Sequence, residues 1–192
     1  MKLQSLERIE PFSNGPGAHA HEENEELFDV LEGVMTLLAG DEQEPVVRTG
    51  MLIRRPVREV FDAFIDPSVT TKFWFTKSSG KLEAGKRVRW EWEMYGVGTD
   101  VDVLEVERDR RISIRWSPPD WTSVEWTFTP VGDDSTYVNI INAGFKGDGD
   151  DVVAEAIDSM GGFTMVLCAL KAWLEHNVIL SVVADKAAPH SD

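Results

Sequence analysis

The sequence predicts an α+β fold in which one curved antiparallel β-sheet wraps around a long C-terminal helix. Turn signals separate a series of short segments between residues 87 and 145, and several of them alternate apolar and polar residues as strands do. One long segment with helical periodicity follows this series, from residue 152 to at least 177. Residues 1–45 differ in composition from the rest of the chain, and their pattern predicts a short N-terminal β appendage.

The main domain begins with a strand followed by a helix. β-branched and apolar residues at 46–54 predict the strand, and Pro56 suits the first turn of the helix. Asp66-Pro67 is expected to end this helix, because a residue before proline disfavours the helical conformation. A second short amphipathic segment is predicted at residues 69–75.

The strands that follow are predicted from their period of two. The clearest is 87–95, in which alternate residues are apolar and the others are charged. The apolar phase slips between Val103 and Leu104, which predicts a β-bulge. Turn residues then delimit strands at 111–117, 122–129 and 135–145.

The long C-terminal helix is predicted from apolar and small residues at spacings of three and four. Asp150 and Asp151 suit its N-terminus, where carboxylates accept hydrogen bonds from free backbone N–H groups. Gly161 and Gly162 lie inside the stripe, and each costs about 1 kcal/mol relative to Ala. Their small size therefore predicts close packing or a kink.

The charge of the chain excludes several classes of partner. The sequence has 19 Lys and Arg against 34 Asp and Glu, a formal net charge of −15. This charge repels phosphate, so neither nucleic acid nor an anionic membrane surface is expected as a partner. No apolar run reaches the length of a membrane span, and no signal-peptide pattern is found. Cys168 has no second cysteine to pair with and is expected as a small core residue, which agrees with a cytoplasmic location.

Seven Trp residues in 192 are many, and most lie in or beside the predicted strands. On the inner face of a curved sheet they either fill a solid core or line a cavity for an apolar or aromatic ligand, and the pattern is compatible with both. If they line a cavity, the predicted ligand-binding residues are Trp90, Trp92, Met94, Trp116, Trp126, Phe128, Met160 and Thr164.

No catalytic residue is predicted. The inward positions of the predicted strands carry no His, Cys, Asp, Glu or Lys, whereas acid–base catalysis needs a titratable group within reach of the substrate. The sequence has no GxSxG elbow, P-loop, GxGxxG or CxxC pair. Binding is therefore favoured over chemistry, and a cyclase- or hydrolase-type enzyme is the alternative.

Several stretches, in their order and spacing, resemble the START-like, polyketide-cyclase-type superfamily (SRPBCC), and within it the bacterial homologues of the activator of the heat-shock-protein ATPase. They lie at residues 53–64, 72–75, 104–106, 114–116, 124–128 and 160–175. The resemblance implies a helix-grip domain over residues 46–185, with 186–192 expected as a disordered tail. It also implies a hydrophobic ligand cavity and, occasionally, a cyclase-type enzyme. No cofactor is expected. In some relatives the resemblance implies a chaperone-stimulating role, so a protein partner is the alternative to an apolar small molecule.

The N-terminal segment resembles a different family, the cupins. His19, His21 and Glu26 have the spacing of the first cupin motif, in which two His and a Glu bind a divalent metal. Ser13 stands where that motif usually has its first glycine, and no second motif follows. Residues 1–45 are therefore expected to bind a divalent metal, to form a structural or homodimerising appendage, or to be weakly ordered.

Overall fold

The structure is a computed structural model that describes residues 26–28, 37–39, 44–147 and 149–186. It confirms the α+β fold with a long C-terminal helix. The strands are β1 (Glu26–Phe28), β2 (Leu37–Ala39), β3 (Val47–Ile53), β4 (Lys77–Ser78), β5 (Arg87–Trp92), β6 (Val97–Glu107), β7 (Arg111–Trp116), β8 (Thr122–Pro130) and β9 (Thr136–Ala143). The helices are α1 (Val57–Ile65), α2 (Pro67–Thr70), α3 (Gly149–His176) and α4 (Val182–Asp185).

The seven strands β3 to β9 form one curved antiparallel sheet in the order β3-β9-β8-β7-β6-β5-β4. β4 to β9 are neighbours in chain order, and β3 joins the far end by pairing with β9. β1 and β2 pair with each other in a separate two-stranded sheet. The predicted bulge is confirmed, because the register of β6 against β7 shifts between Val103 and Glu105.

The first helical region differs in part from the prediction. α1 ends at Ile65, as Asp66-Pro67 predicts, and the Asp66 carboxylate accepts a hydrogen bond from the Ser68 N–H at the start of α2. The predicted amphipathic segment at 69–75 is not a helix, because α2 stops at Thr70 and the chain turns. This turn carries three consecutive buried aromatic residues, Phe73, Trp74 and Phe75, into the core.

β5 is shorter than predicted. It ends at Trp92, and residues Glu93–Tyr95 form a single 3-10 turn. Gly96 then adopts a φ of 64°, a left-handed conformation that glycine tolerates and that reverses the chain into β6. Met94 therefore lies in a turn and not on the inward face of a strand.

α3 packs its buried side against the inner face of the sheet, with Phe163, Leu167 and Leu170 in the core. By length and composition this helix could cross a membrane, but these contacts make it the core helix of the domain. Cys168 is exposed, so the expectation of a core cysteine is wrong. The reason is helical geometry, because one residue rotates the side chain by about 100° from Leu167 toward solvent.

The paired glycines of α3 do not pack closely. A Cβ atom at Gly161 or Gly162 would meet no other atom within 4 Å, and the helix continues through both positions. Among the described residues, close packing therefore does not explain why both positions are glycine.

The C-terminal end of α3 is tied to the start of the domain by Glu175. This buried carboxylate accepts hydrogen bonds from the Arg54 backbone N–H at 2.8 Å and from Lys171 Nζ at 2.5 Å. Burial raises the pKa of the Glu175 carboxyl, but these two donors lower it by more, so the net pKa lies below its usual value. Lys171 Nζ also donates to the Leu52 carbonyl at 2.8 Å, which fixes α3 along the edge strand β3.

The outer face of the sheet is charged. Asp102 accepts hydrogen bonds from Arg87 Nε at 2.5 Å and from Arg115 Nε at 2.9 Å. These bonds, that of Arg87 above all, lower the pKa of the Asp102 carboxyl from 3.8 to about 2. The Arg115 guanidinium also lies over the Trp121 ring, 4.8 Å from its centroid. Trp121 is thus held on this outer face by cations.

Candidate ligand-binding pocket

An open cleft of about 290 Å³ lies between α3, α4 and the ends of several strands, and it is called the aromatic pocket below. It is lined by Trp74, Trp92, Tyr95, Trp116, Ser117, Thr122, Asn142, Phe145, Glu155, Asp158, Ser159, Gly162, Phe163, Met165, Val166, Val183 and Lys186.

Four rings form one continuous apolar surface in this pocket, the aromatic wall: Trp74, Trp92, Trp116 and Phe163. The ring centroid of Trp116 lies 6.1 Å from that of Trp74, 6.1 Å from that of Trp92 and 5.8 Å from that of Phe163. These separations lie within the range of favourable aromatic pairs. The wall combines residues from the turn after α2, from two strand ends and from α3, so it exists only in the folded domain.

The structure places Trp92 and Trp116, two of the predicted ligand-binding residues, on the aromatic wall. Both are half-buried, because they stand at the ends of β5 and β7.

Trp90, Trp126 and Phe128 lie instead in the solid core behind the wall. Trp90 and Trp126 are each 1% exposed, and Phe128 is 3% exposed. The Trp90 ring stacks on Phe75 at 4.7 Å, and Phe128 meets Phe61 edge-on at 5.1 Å. The inner face of the sheet therefore fills a core at its centre and lines a cavity at its end.

The other three predicted ligand-binding residues do not line the pocket. Met94 is in the turn after β5. Met160 packs against a small separate core cluster that includes Phe145. Thr164 is exposed on α3, and its hydroxyl group lies 3.2 Å from that of Thr49 on β3.

Several lining residues were not among the predicted ones. Ser159, Gly162, Phe163 and Val166 all come from α3, at spacings of three and four that place them on one side of the helix. This spacing is visible in the sequence, but the same stripe also contains core residues.

A buried amide fixes the polar side of the pocket. Asn142 on β9 is 1% exposed, and its Nδ2 donates to the Ser123 carbonyl at 2.7 Å. The Ser159 hydroxyl on α3 donates to Asn142 Oδ1 at 2.6 Å. Because both hydrogen bonds are short and the amide is buried, they hold α3 and the sheet in a fixed relation at this point.

Charged and hydroxyl groups stand at the mouth of the pocket. Lys186 Nζ, just after α4, donates to Asp158 Oδ1 on α3 at 2.6 Å. The Tyr95 hydroxyl donates to the Val183 carbonyl on α4 at 2.7 Å. These two contacts hold α4 beside the mouth. Glu155 also lines the pocket, is exposed, and has no ion-pair partner among the described residues.

The titratable groups of the pocket therefore come from helices and turns, and the strands supply only aromatic, amide and hydroxyl groups. This arrangement can hold an apolar ring against the aromatic wall. It can orient one polar or charged group of a ligand toward the mouth.

The predicted metal ligands are only partly covered by the structure. His19 and His21 lie outside the described residues, and Glu26 begins β1, where it pairs with Ala39. Within the described ranges, no group of three or more His, Cys, Asp or Glu could hold a metal ion.

Comparison with known proteins agrees with the fold. The family model described as Activator of Hsp90 ATPase homolog 1-like protein matches residues 54–175, more than half of the chain. No sequence among the curated proteins matches the chain significantly.

Solved structures that are similar to the chain cover the same region. Protein SSP2350 from Staphylococcus saprophyticus is 27% identical, with a TM-score of 0.61 over 70% of this chain and 95% of that one. The Aha1 dimer from Colwellia psychrerythraea is 17% identical, with a TM-score of 0.59 over 68% and 96%. CalU16 from Micromonospora echinospora is 19% identical, with a TM-score of 0.56 over 74% and 83%. Part of this chain thus has no counterpart in these proteins.

Proposed function

Since the chain belongs to the family of Activator of Hsp90 ATPase homolog 1-like proteins, within the START-like superfamily, we propose that it binds an apolar or aromatic small molecule in the aromatic pocket. The observation that carries the proposal is the aromatic wall, in which the half-buried Trp92 and Trp116 line the pocket and the buried Trp74 and Phe163 pack beside them. A concave apolar surface with two partly exposed Trp rings beside fixed polar atoms is typical of a ligand site.

The size of the pocket limits its ligand. A volume of about 290 Å³ lies at the small end of ligand sites, which hold roughly 300–1,000 Å³. A compound with one or two rings suits this space, whereas a long lipid chain does not.

Tryptophan fluorescence tests the proposal, because three of the four wall residues are Trp. We expect a panel of one- and two-ring aromatic compounds to quench the fluorescence and to raise the melting temperature, because ligand binding stabilises the folded state.

The matched variants are Trp116→Phe and Trp121→Phe. Both residues are half-buried, but Trp116 lines the pocket and Trp121 lies on the outer face between cations. Trp116→Phe is expected to lose much of the quenching and Trp121→Phe to retain it. A chain that responds to no compound of the panel would count against a small-molecule site.

The outward face of α3 favours a second candidate function, interaction with a protein partner or a second copy of the chain. Ile157 is 50% exposed there, on the same face as Gly161 and Cys168, which are also exposed. The Colwellia relative is a dimer in solution, which agrees with this candidate. Light scattering over a range of concentrations tests it, and Ile157→Glu is expected to shift any dimer toward monomer. A wild-type chain that stays monomeric at all concentrations would rule out a homodimer.

A further inference from the structure

The charges at the mouth of the aromatic pocket are not balanced. Glu155 and Asp158 are three residues apart on α3, so their carboxylates lie on the same side of the helix, and both line the pocket. Among the described lining residues Lys186 is the only cation, and it pairs with Asp158. One carboxylate, that of Glu155, is left without a cation in the described part of the chain.

The aromatic wall favours positive charge as well. The face of an indole or phenyl ring carries negative potential and attracts ammonium groups, most strongly for Trp. The cation–π contacts of the described residues are made to Trp121 and Phe61, neither of which lines the pocket. The faces of the wall are therefore not used by any guanidinium or ammonium group of the described chain.

The net charge of −15 also attracts positively charged ligands to the protein. A cleft on an acidic protein concentrates cations and repels anions, and its low-dielectric walls strengthen this effect. An anionic ligand such as a carboxylate would have to approach Glu155 and Asp158 directly.

We propose that the aromatic pocket selects a small organic cation, namely an amine or quaternary ammonium group on an apolar or aromatic body. The aromatic body lies on the wall, and the ammonium group pairs with Glu155 at the mouth. Lys186 occupies the equivalent position at Asp158 and acts as a competing internal cation. This inference rests on the proposed function, since it specifies the ligand class of the same pocket.

Three compounds with one aromatic body separate charge selectivity from binding itself. They are 1-naphthylmethylamine, 1-naphthylmethanol and 1-naphthoate, titrated calorimetrically at pH 7 and low salt. We expect the ammonium compound to bind about tenfold more tightly than the alcohol, and the carboxylate to bind most weakly.

Two substitutions at the mouth should change this order in opposite directions. Glu155→Gln is expected to reduce the affinity for the ammonium compound to about that for the alcohol. Lys186→Met is expected to strengthen ammonium binding, because it leaves Asp158 without its cation. The control is Asp151→Asn, which removes one exposed carboxylate from the first turn of α3 but does not line the pocket.

The outcomes distinguish the two proposals. Equal affinities for all three compounds, or tightest binding of the carboxylate, would overturn the selectivity for cations and leave the proposed function standing. No binding of any of the three would overturn both. Loss of the preference in Asp151→Asn as well as in Glu155→Gln would show a general charge effect and overturn the role of Glu155.

Discussion

Gly162→Leu should fill the aromatic pocket from the side of the helix without disturbing the fold. Gly162 lines the pocket, and a Cβ atom built there meets no other atom within 4 Å. The added side chain therefore has room at its base and extends from the wall of the pocket. No backbone rearrangement is needed, because the position already has helical geometry within α3.

The magnitudes follow from two separate effects. Replacing a glycine in a helix interior by leucine stabilises the helix by about 1 kcal/mol. For a domain of this size this gain raises the melting temperature by roughly 2–4 °C. Binding of 1-naphthylmethanol should become at least about tenfold weaker, because every 1.4 kcal/mol of lost ligand contact reduces the affinity tenfold.

Gly161→Leu is the matched control. Gly161 is the preceding residue of the same helix, a Cβ atom there also meets nothing within 4 Å, and it does not line the pocket. Thermal melts should show the same stabilisation for both variants, whereas calorimetry should show weaker binding only for Gly162→Leu. A stable Gly162→Leu protein with wild-type affinity would refute the assignment of the pocket as the ligand site.

Further predictions concern stability, accessibility and metal binding. The pKa of Asp102 is about 2 in the folded protein, below its value of roughly 3.9 in unfolded chains. Its contribution to stability is therefore complete above about pH 4 and is lost as the pH falls toward 2. Urea unfolding should show that the free energy of unfolding falls less steeply with pH in Asp102→Asn than in the wild-type protein over this range. Asn142→Leu removes two hydrogen bonds of a buried amide and should lower the free energy of unfolding by about 2 kcal/mol; an unchanged urea midpoint would contradict this. Cys168 is exposed and should react with a thiol reagent in the folded protein. Reaction only after unfolding would show instead that the thiol is buried. The cupin resemblance predicts that Ni²⁺ or Zn²⁺ binds the full chain and that replacing His19 and His21 by Ala abolishes this; calorimetry that shows equal binding before and after would exclude the site.

The strands and the main helix could be predicted because their signals are local. The alternation in β5 and the phase slip at Val103 are each visible within about ten residues of sequence. They survive in the structure as a strand and a bulge. Cys168 shows the limit, because the wide apolar stripe of α3 does not reveal which of its residues face solvent.

The pocket could be predicted only in part. Trp90 and Trp92 are both apolar positions of one strand, and the sequence gives no reason to separate them. In the structure Trp90 is covered by Phe75, whereas Trp92 at the strand end remains open to the pocket. This difference depends on how the aromatic turn after α2 packs on the sheet, and the charged mouth depends on the contact of Lys186, after α4, with α3. Both are contacts between residues that are distant in sequence.

The most direct measurement is a crystal structure of the protein with bound 1-naphthylmethylamine. We expect the naphthyl ring to lie against Trp92, Trp116 and Phe163, with the ammonium group beside Glu155. A naphthyl ring bound at any other surface, with the aromatic wall left uncovered, would contradict this expectation.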